Sequence, residues 1–223
     1  MARRNIAFKS TFNNNTGTVG PAPAGMNAIG FRGTCSNELI EKNIRAGRVW
    51  CGLHTDMETS PCYAYYENDY TTGIQEGPCY ESILLREWEF SAGVWHHGLR
   101  AGEPMHIRHI DECKFALLTT YRPEEPANDR MVFGVFKILP EPHQEQTETV
   151  VRAQEPGIEL PLNEAEQVPF RDFYTRQGQP IKWGSGLFRY LDDDTVRGVL
   201  KRIIQVTANP ENQTLARRYL QEL

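Results

Sequence analysis

The run Met131-Val-Phe-Gly-Val-Phe-Lys-Ile138 constrains the chain most. It is almost wholly apolar, without the alternation of a strand that buries one face, so it reads as a central strand. Gly134 within it marks a kink or bulge. Lys114–Thr120 reads as a neighbouring strand, and the intervening RPEEPANDR holds the prolines and the Asn-Asp pair of a turn. Pro104–Ile110 is a third candidate: Met105, Ile107 and Ile110 are separated by His106, Arg108 and His109, with one slip. Thr147–Ala153 is a weaker fourth.

Helices are expected on either side. Ser36–Ala46 has a capping serine, Glu38 in the first turn, the stripe Leu39, Ile40 and Ile44, and a stop at Gly47. Near the end, Asp192, Asp193 and Asp194 suit a helix N-terminus, and Val196, Val199, Leu200, Ile203 and Ile204 recur at helical spacing. Asn209-Pro210 opens a last helix, with Leu215, Tyr219, Leu220 and Leu223 as its apolar positions. Asn13–Gly25 reads as loop, and no internal repeat is visible. The expected fold is α+β: a curved sheet or small β-barrel around residues 50–160, with flanking helices and a helical C-terminal segment. The expected division is a β-rich core over 1–165, carrying an N-terminal basic helix, and a helical segment over 166–223 packed on it.

At 223 residues, 39% hydrophobic and 24% charged, the chain is expected to fold and is not a disordered polyampholyte. No apolar run approaches the ~20 residues of a membrane helix. The first residues, MARRNIAFKSTFNNN, lack a secretory core segment, so a cytoplasmic location is expected. Five cysteines, Cys35, Cys51, Cys62, Cys79 and Cys113, make an odd count that favours buried thiols over a disulfide framework.

The net charge of -5 argues against a uniformly basic nucleic-acid coat but not against one basic face. Between Met1 and Trp50 the cations Arg3, Arg4, Lys9, Arg32, Lys42, Arg45 and Arg48 face only Glu38 and Glu41. From Cys51 to Phe90, eight acids face Arg86 alone. Glu141–Gln167 is acidic too, and Val196–Leu223 turns basic again. The N-terminal cations are therefore candidate phosphate contacts, which set position and salt dependence rather than sequence preference.

The densest group with chemical potential is aromatic. Trp50, Tyr63, Tyr65, Tyr66, Tyr70, Tyr80, Trp88, Phe90 and Trp95 stand among acids and small residues rather than in apolar runs. Rings so placed can wall a site for a flat guest. Base–aromatic stacking is worth ~1–3 kcal/mol per base, comparable with the cost of unstacking a base. The competing reading is a core whose tyrosine hydroxyls reach water. Trp50, Tyr65, Trp88 and Trp95 are the candidate base-binding residues.

Other chemistry is weaker. Cys51, His54, Cys62 and Cys79, then His96-His97, then His106, His109 and Cys113 contain metal-ligand types, but their spacing fits no strong zinc template, and no metal or other cofactor is expected. Glu112-Cys113-Lys114 at a strand start has the acid and lysine that a metal-dependent nuclease uses. No nucleotide P-loop, acyl-hydrolase elbow or His-Glu-x-x-His motif is present. The glycines of Trp183-Gly-Ser-Gly-Leu-Phe-Arg-Tyr-Leu either let backbone approach a ligand or mark a turn.

Gly102-Glu-Pro-Met-His-Ile, Lys114-Phe-Ala-Leu-Leu-Thr-Thr and Val132-Phe-Gly-Val-Phe-Lys-Ile138 resemble the strand order of PUA-like barrels, the superfamily of the EVE, YTH and SRA-like readers of modified bases. The wider set GFRGTCS, VWC, PCY, GVWHHG, LLTTYRP, VFGVFKI and WGSGLFRYL is similar to the N-terminal sensing region of bacterial modification-dependent HNH endonucleases. The resemblance implies a reader that holds a flipped base between aromatic side chains, with nucleic acid as partner and DNA favoured over RNA. No HNH module stands in this sequence, so the implied cleavage belongs to a further module or another chain. The alternatives are a metal-dependent nuclease or other hydrolase, and a protein-interaction module whose acidic middle meets a basic partner.

Overall fold

The computed structural model describes residues 5–14, 35–52, 60–71, 80–95, 98–140, 148–184 and 186–223. The elements in chain order begin with β1 (Asn5–Lys9), α1 (Asn37–Arg45), α2 (Val49–Gly52), α3 (Pro61–Glu67), α4 (Tyr80–Glu87) and β2 (Glu89–Ser91). Then come β3 (Phe115–Thr120), β4 (Met131–Lys137), β5 (Val150–Arg152), β6 (Ile158–Glu159) and α5 (Leu162–Ala165). The chain ends with β7 (Thr175–Arg176), β8 (Gln179–Pro180), β9 (Phe188–Leu191), α6 (Asp193–Val206) and α7 (Pro210–Glu222). It divides into two compact units: Met1–Ser10, His109–Pro142 and Val151–Leu223 form one, and Thr11–Arg108 with His143–Val150 form the other. The boundary expected near residue 165 falls inside the first unit.

The first unit is built on a five-stranded mixed sheet in the order β6-β4-β3-β1-β9. The apolar run around Gly134 is β4, buried from Met131 to Phe136. Its register with β3 shifts between Leu118 and Thr119, opposite Gly134 and Val132, so the bulge expected at Gly134 is present. A Cβ at Gly134 would stand 3.0 Å from Leu118 Cδ1, which explains the glycine. β3 is buried along its whole length.

The partner of β3 on its other side is β1, and the two run parallel, Asn5 opposite Phe115 and Lys9 opposite Thr119. Parallel neighbours cannot be joined by a tight turn. Here the connection is the stretch that contains nearly all of the second unit. β1 was not expected from the sequence. Buried Asn5 fixes its start: Oδ1 accepts from Phe115 N at 3.2 Å, and Nδ2 donates to Asp193 Oδ1 at 2.8 Å.

α6 and α7 form as expected. The Asp192 side chain accepts from Thr195 N, Asn209 caps α7, and Pro210 takes its first position. Tyr219 on α7 packs against Phe115 with ring centroids 5.0 Å apart, and Lys137 pairs with Glu222 at 2.5 Å. Burial, then the negative charge of Glu155, pushes the Tyr219 phenol up to about 12.

Among the described residues between 37 and 87, the regular elements of the second unit are the helices α1 to α4. This corrects the expectation that the sheet begins near residue 50. Ser36 caps α1, and Ser60 caps α3 with Pro61 at its first turn. Pro104–Ile110 is likewise not a strand. The alternation is real in burial, since Ile107 and Ile110 are buried while His106, Arg108 and His109 are exposed. The backbone, however, finds scattered partners: Met105 N donates to Gly93 O, and Ile107 N to the Thr149 hydroxyl. His109 at φ +57° then turns the chain into a 3-10 turn over Ile110–Glu112. Among the described residues, no helix is long and apolar enough to cross a membrane.

Candidate functional site

The aromatic candidates lie in the second unit and differ sharply in exposure. Trp50 is in α2, but its side chain is outside the described part. Trp88 is 7% exposed and belongs to the core, which corrects its expected place as an open wall; its backbone is left-handed at φ +52°. Tyr65 is half-buried on α3, edge-on to Tyr70 at 5.3 Å. Tyr66 is edge-on to the same ring at 6.0 Å, and Tyr63 is tilted against Tyr66 at 6.3 Å. Two of these three pairs of half-buried tyrosines pack edge to face and the third is tilted, with interplanar angles from 51° to 76°. A hydrogen bond to the Glu67 carboxylate, reinforced by its charge, raises the Tyr63 phenol above its ordinary value. Burial raises Tyr70, with the charge of Glu41 next.

Trp95 is the open ring, at 38% exposure. Its loop is rooted like a hairpin. Val94 bridges Pro104, Trp95 N donates to Glu103 O at 3.0 Å, and Gly102 N donates to Trp95 O at 2.7 Å. Gly98 and Gly102, at φ +80° and +83°, give the reversal a conformation that a side chain would strain. The tip places Arg100 over the Trp95 ring, Cζ 5.0 Å from its centroid, and Glu103 steadies the guanidinium at 2.7 Å. Leu99 beside it is fully exposed. The loop thus offers solvent an indole, a guanidinium plane and an aliphatic side chain. His96 and His97 lie outside the described residues.

The cationic candidates are dispersed. Arg3, Arg4 and Arg32 lie outside the described residues. On α1, Lys42 pairs with Glu38 at 2.8 Å and Arg45 with Glu41 at 2.5 Å, so the helix face that looked basic carries alternating charge. Arg48 is half-buried just beyond α1. Lys9, at the end of β1, donates to Gly184 O at 2.7 Å.

Lys9 opens a group that the sequence did not bring together. Its Nζ stands 5.8 Å from the Trp183 ring centroid, with Arg130 Cζ at 5.2 Å and Arg189 Cζ at 5.8 Å. Arg130 is 2% exposed. Its guanidinium ties together the ends of two strands: Nε donates to Thr119 Oγ1 at 2.9 Å, and Nη2 to Thr119 O at 2.7 Å and Ser10 O at 3.2 Å. The Tyr121 ring centroid also lies 4.8 Å from its Cζ. Arg189 donates to Phe188 O and Trp183 O. A Cβ at Gly186 would collide with Arg189 Nη1, so this glycine does admit a close approach, of a guanidinium to backbone.

The Glu112 and Lys114 side chains take separate partners. Glu112 pairs with His109 Nδ1 at 2.9 Å, while Lys114 Nζ donates to Glu222 O at 3.3 Å. Among the described residues, no three His, Cys, Asp or Glu side chains gather to hold a metal ion. His54, Cys79, His96 and His97 are outside the described part. Cys113 is buried, and burial followed by the Glu112 and Asp111 charges pushes its thiol up to about 12, the reverse of a reactive cysteine. Searches of protein-family models, curated proteins and solved structures found no match to this chain.

Proposed function

We propose that this protein is a nucleic-acid-binding sensor that takes an unstacked base, a modified one in DNA, against the exposed aromatic surface of its second unit. The observation that carries the reading is the loop from Val94 to Pro104, with its open indole and the Arg100 guanidinium over it. Bases stack on indole rings and on guanidinium planes alike, at ~1–3 kcal/mol per base for aromatic stacking. Such a pair is sequence-tolerant by itself, so discrimination belongs to neighbouring polar groups that meet the base edge. Half-buried Tyr65 is a candidate for that role. Arg32 and Arg48, which belong to the same unit as that loop, are the phosphate contacts of this reading, and any cleavage belongs to a further module or another chain.

The test is fluorescence anisotropy with labelled single-stranded and duplex oligonucleotides. Trp95→Ala is expected to weaken binding 5- to 150-fold, the range for loss of one stacking platform. Unchanged affinity in that variant, or no binding by the wild type at 50 mM salt, would remove the reading.

A further inference from the structure

A second site stands in the first unit, at the carboxyl ends of the parallel strands β1 and β3, and does not depend on the aromatic loop. We propose that this sheet end binds a phosphate monoester dianion, free or at the end of a nucleotide chain, through Arg189, Lys9 and the Ser10 hydroxyl, with Arg130 supplying fixed positive charge behind them. Open sheets place ligands beyond the carboxyl ends of parallel strands, where loops converge. Here Lys9 and Ser10 come from β1, Thr119 and Thr120 end β3, and Arg130 and Arg189 come from the facing starts of antiparallel β4 and β9.

Three observations converge on an anion. Arg130, Arg189 and Lys9 all lie within 5.8 Å of one indole centroid, which concentrates positive charge in a half-buried region. The Ser10 hydroxyl is buried beside Arg130 and makes no hydrogen bond, although its own carbonyl accepts from Arg130 and from Thr120. A buried hydroxyl in that state has a donor to offer. Finally, Arg189 is half-buried and holds the neutral backbone carbonyls of Phe188 and Trp183. Bonds from a guanidinium to an oxyanion are stronger than bonds to carbonyls, so this side chain gains by exchanging partners.

Depth selects the class. Ser10 and Arg130 are too buried to follow an extended phosphodiester backbone, which favours a single terminal phosphoryl group. Two negative charges suit three cations better than one does.

The experiment is isothermal titration calorimetry of the full chain in chloride buffer at constant ionic strength. The probes are inorganic phosphate and a thymidine dinucleotide with a 5′-phosphate or a 5′-hydroxyl. Saturable binding of phosphate-bearing probes is expected, at least tenfold weaker for the 5′-hydroxyl dinucleotide. Inorganic phosphate binding as tightly as the phosphorylated dinucleotide assigns a free ion; tenfold weaker binding assigns a terminal phosphate. Arg189→Gln and Lys9→Gln should each weaken binding about tenfold. Ser10→Ala should weaken it about threefold. No saturable heat with any phosphate-bearing probe overturns the proposal. So does equal affinity for the 5′-phosphate and 5′-hydroxyl probes, or wild-type affinity in folded Arg189→Gln and Lys9→Gln.

Discussion

The two units solve the problem of holding structure in different ways. In the first, Ile6, Phe8, Phe115, Leu117, Phe133 and Phe136 are fully buried, and strands from opposite ends of the chain pair directly. In the second, short helices are set by local signals, the caps Ser36 and Ser60 and the proline after Ser60, and half-buried tyrosines lean on one another. Global packing fixes the first, and local chemistry sets much of the second. A surface of the second kind can leave an indole and a leucine open at a rooted loop without a large loss of buried area. This is why the base-capturing role is placed there.

Phe136→Ala strikes at the core of the first unit, and a loss of about 3–5 kcal/mol is expected in urea unfolding. A loss below 1 kcal/mol would mean that the sheet is not the rigid half. Alkali should reach the same unit next. The folded-state pKa values of Cys113 and Tyr219, about 12, lie above their ordinary values of 9.0 and 10.0. The folded state therefore keeps protons that the unfolded chain releases, so stability is full below pH 9 and falls as pH rises toward 12. Chemical denaturation at pH 8 and pH 10.5 checks the sign. At pH 8, iodoacetamide should label Cys113 only in unfolded molecules, which peptide mapping reads.

Trp95→Ala should separate binding from stability. The unfolding free energy should shift by less than 0.5 kcal/mol, as at other surface positions, while the nucleic-acid affinity falls. A stability loss of several kcal/mol would place the indole with the core. The smallest effect is expected at Glu38→Gln, which breaks the exposed pair with Lys42 for about 0.3–0.5 kcal/mol, an effect that salt should erase.

Legibility in the sequence followed the same divide between local and distant causes. α1, α6 and α7 carry their caps and stripes within a few residues, and each formed where expected. β4 was plain because its apolar run admits no exposed face. β1 was not, because Asn5–Lys9 is short, and its partners Phe115–Thr119 and Phe188–Leu191 are more than a hundred residues away. Pro104–Ile110 shows the converse error, since burial can alternate along a segment whose one β-bridge is at Pro104. α3 had a readable signal in Ser60-Pro61 that aromatic content obscured.

The sites divide likewise. The exposure of Trp95 is legible in its setting among small and polar residues, whereas Trp88 has a similar setting and is core. The gathering of Lys9, Arg130, Trp183 and Arg189 had no linear trace beyond the glycines around residue 185. Only the pairing of β1, β3, β4 and β9 brings those four together.

The central claim is that an exposed ring in the second unit grips a base that has left its stack. Equilibrium binding of the wild-type chain to duplexes that differ in one base, cytosine against 5-methylcytosine and adenine against N6-methyladenine, tests it most directly across a salt series. One modified duplex should bind at least tenfold more tightly than its unmodified twin, with the ratio preserved as salt weakens both. Equal affinity for every duplex at every salt concentration would contradict it.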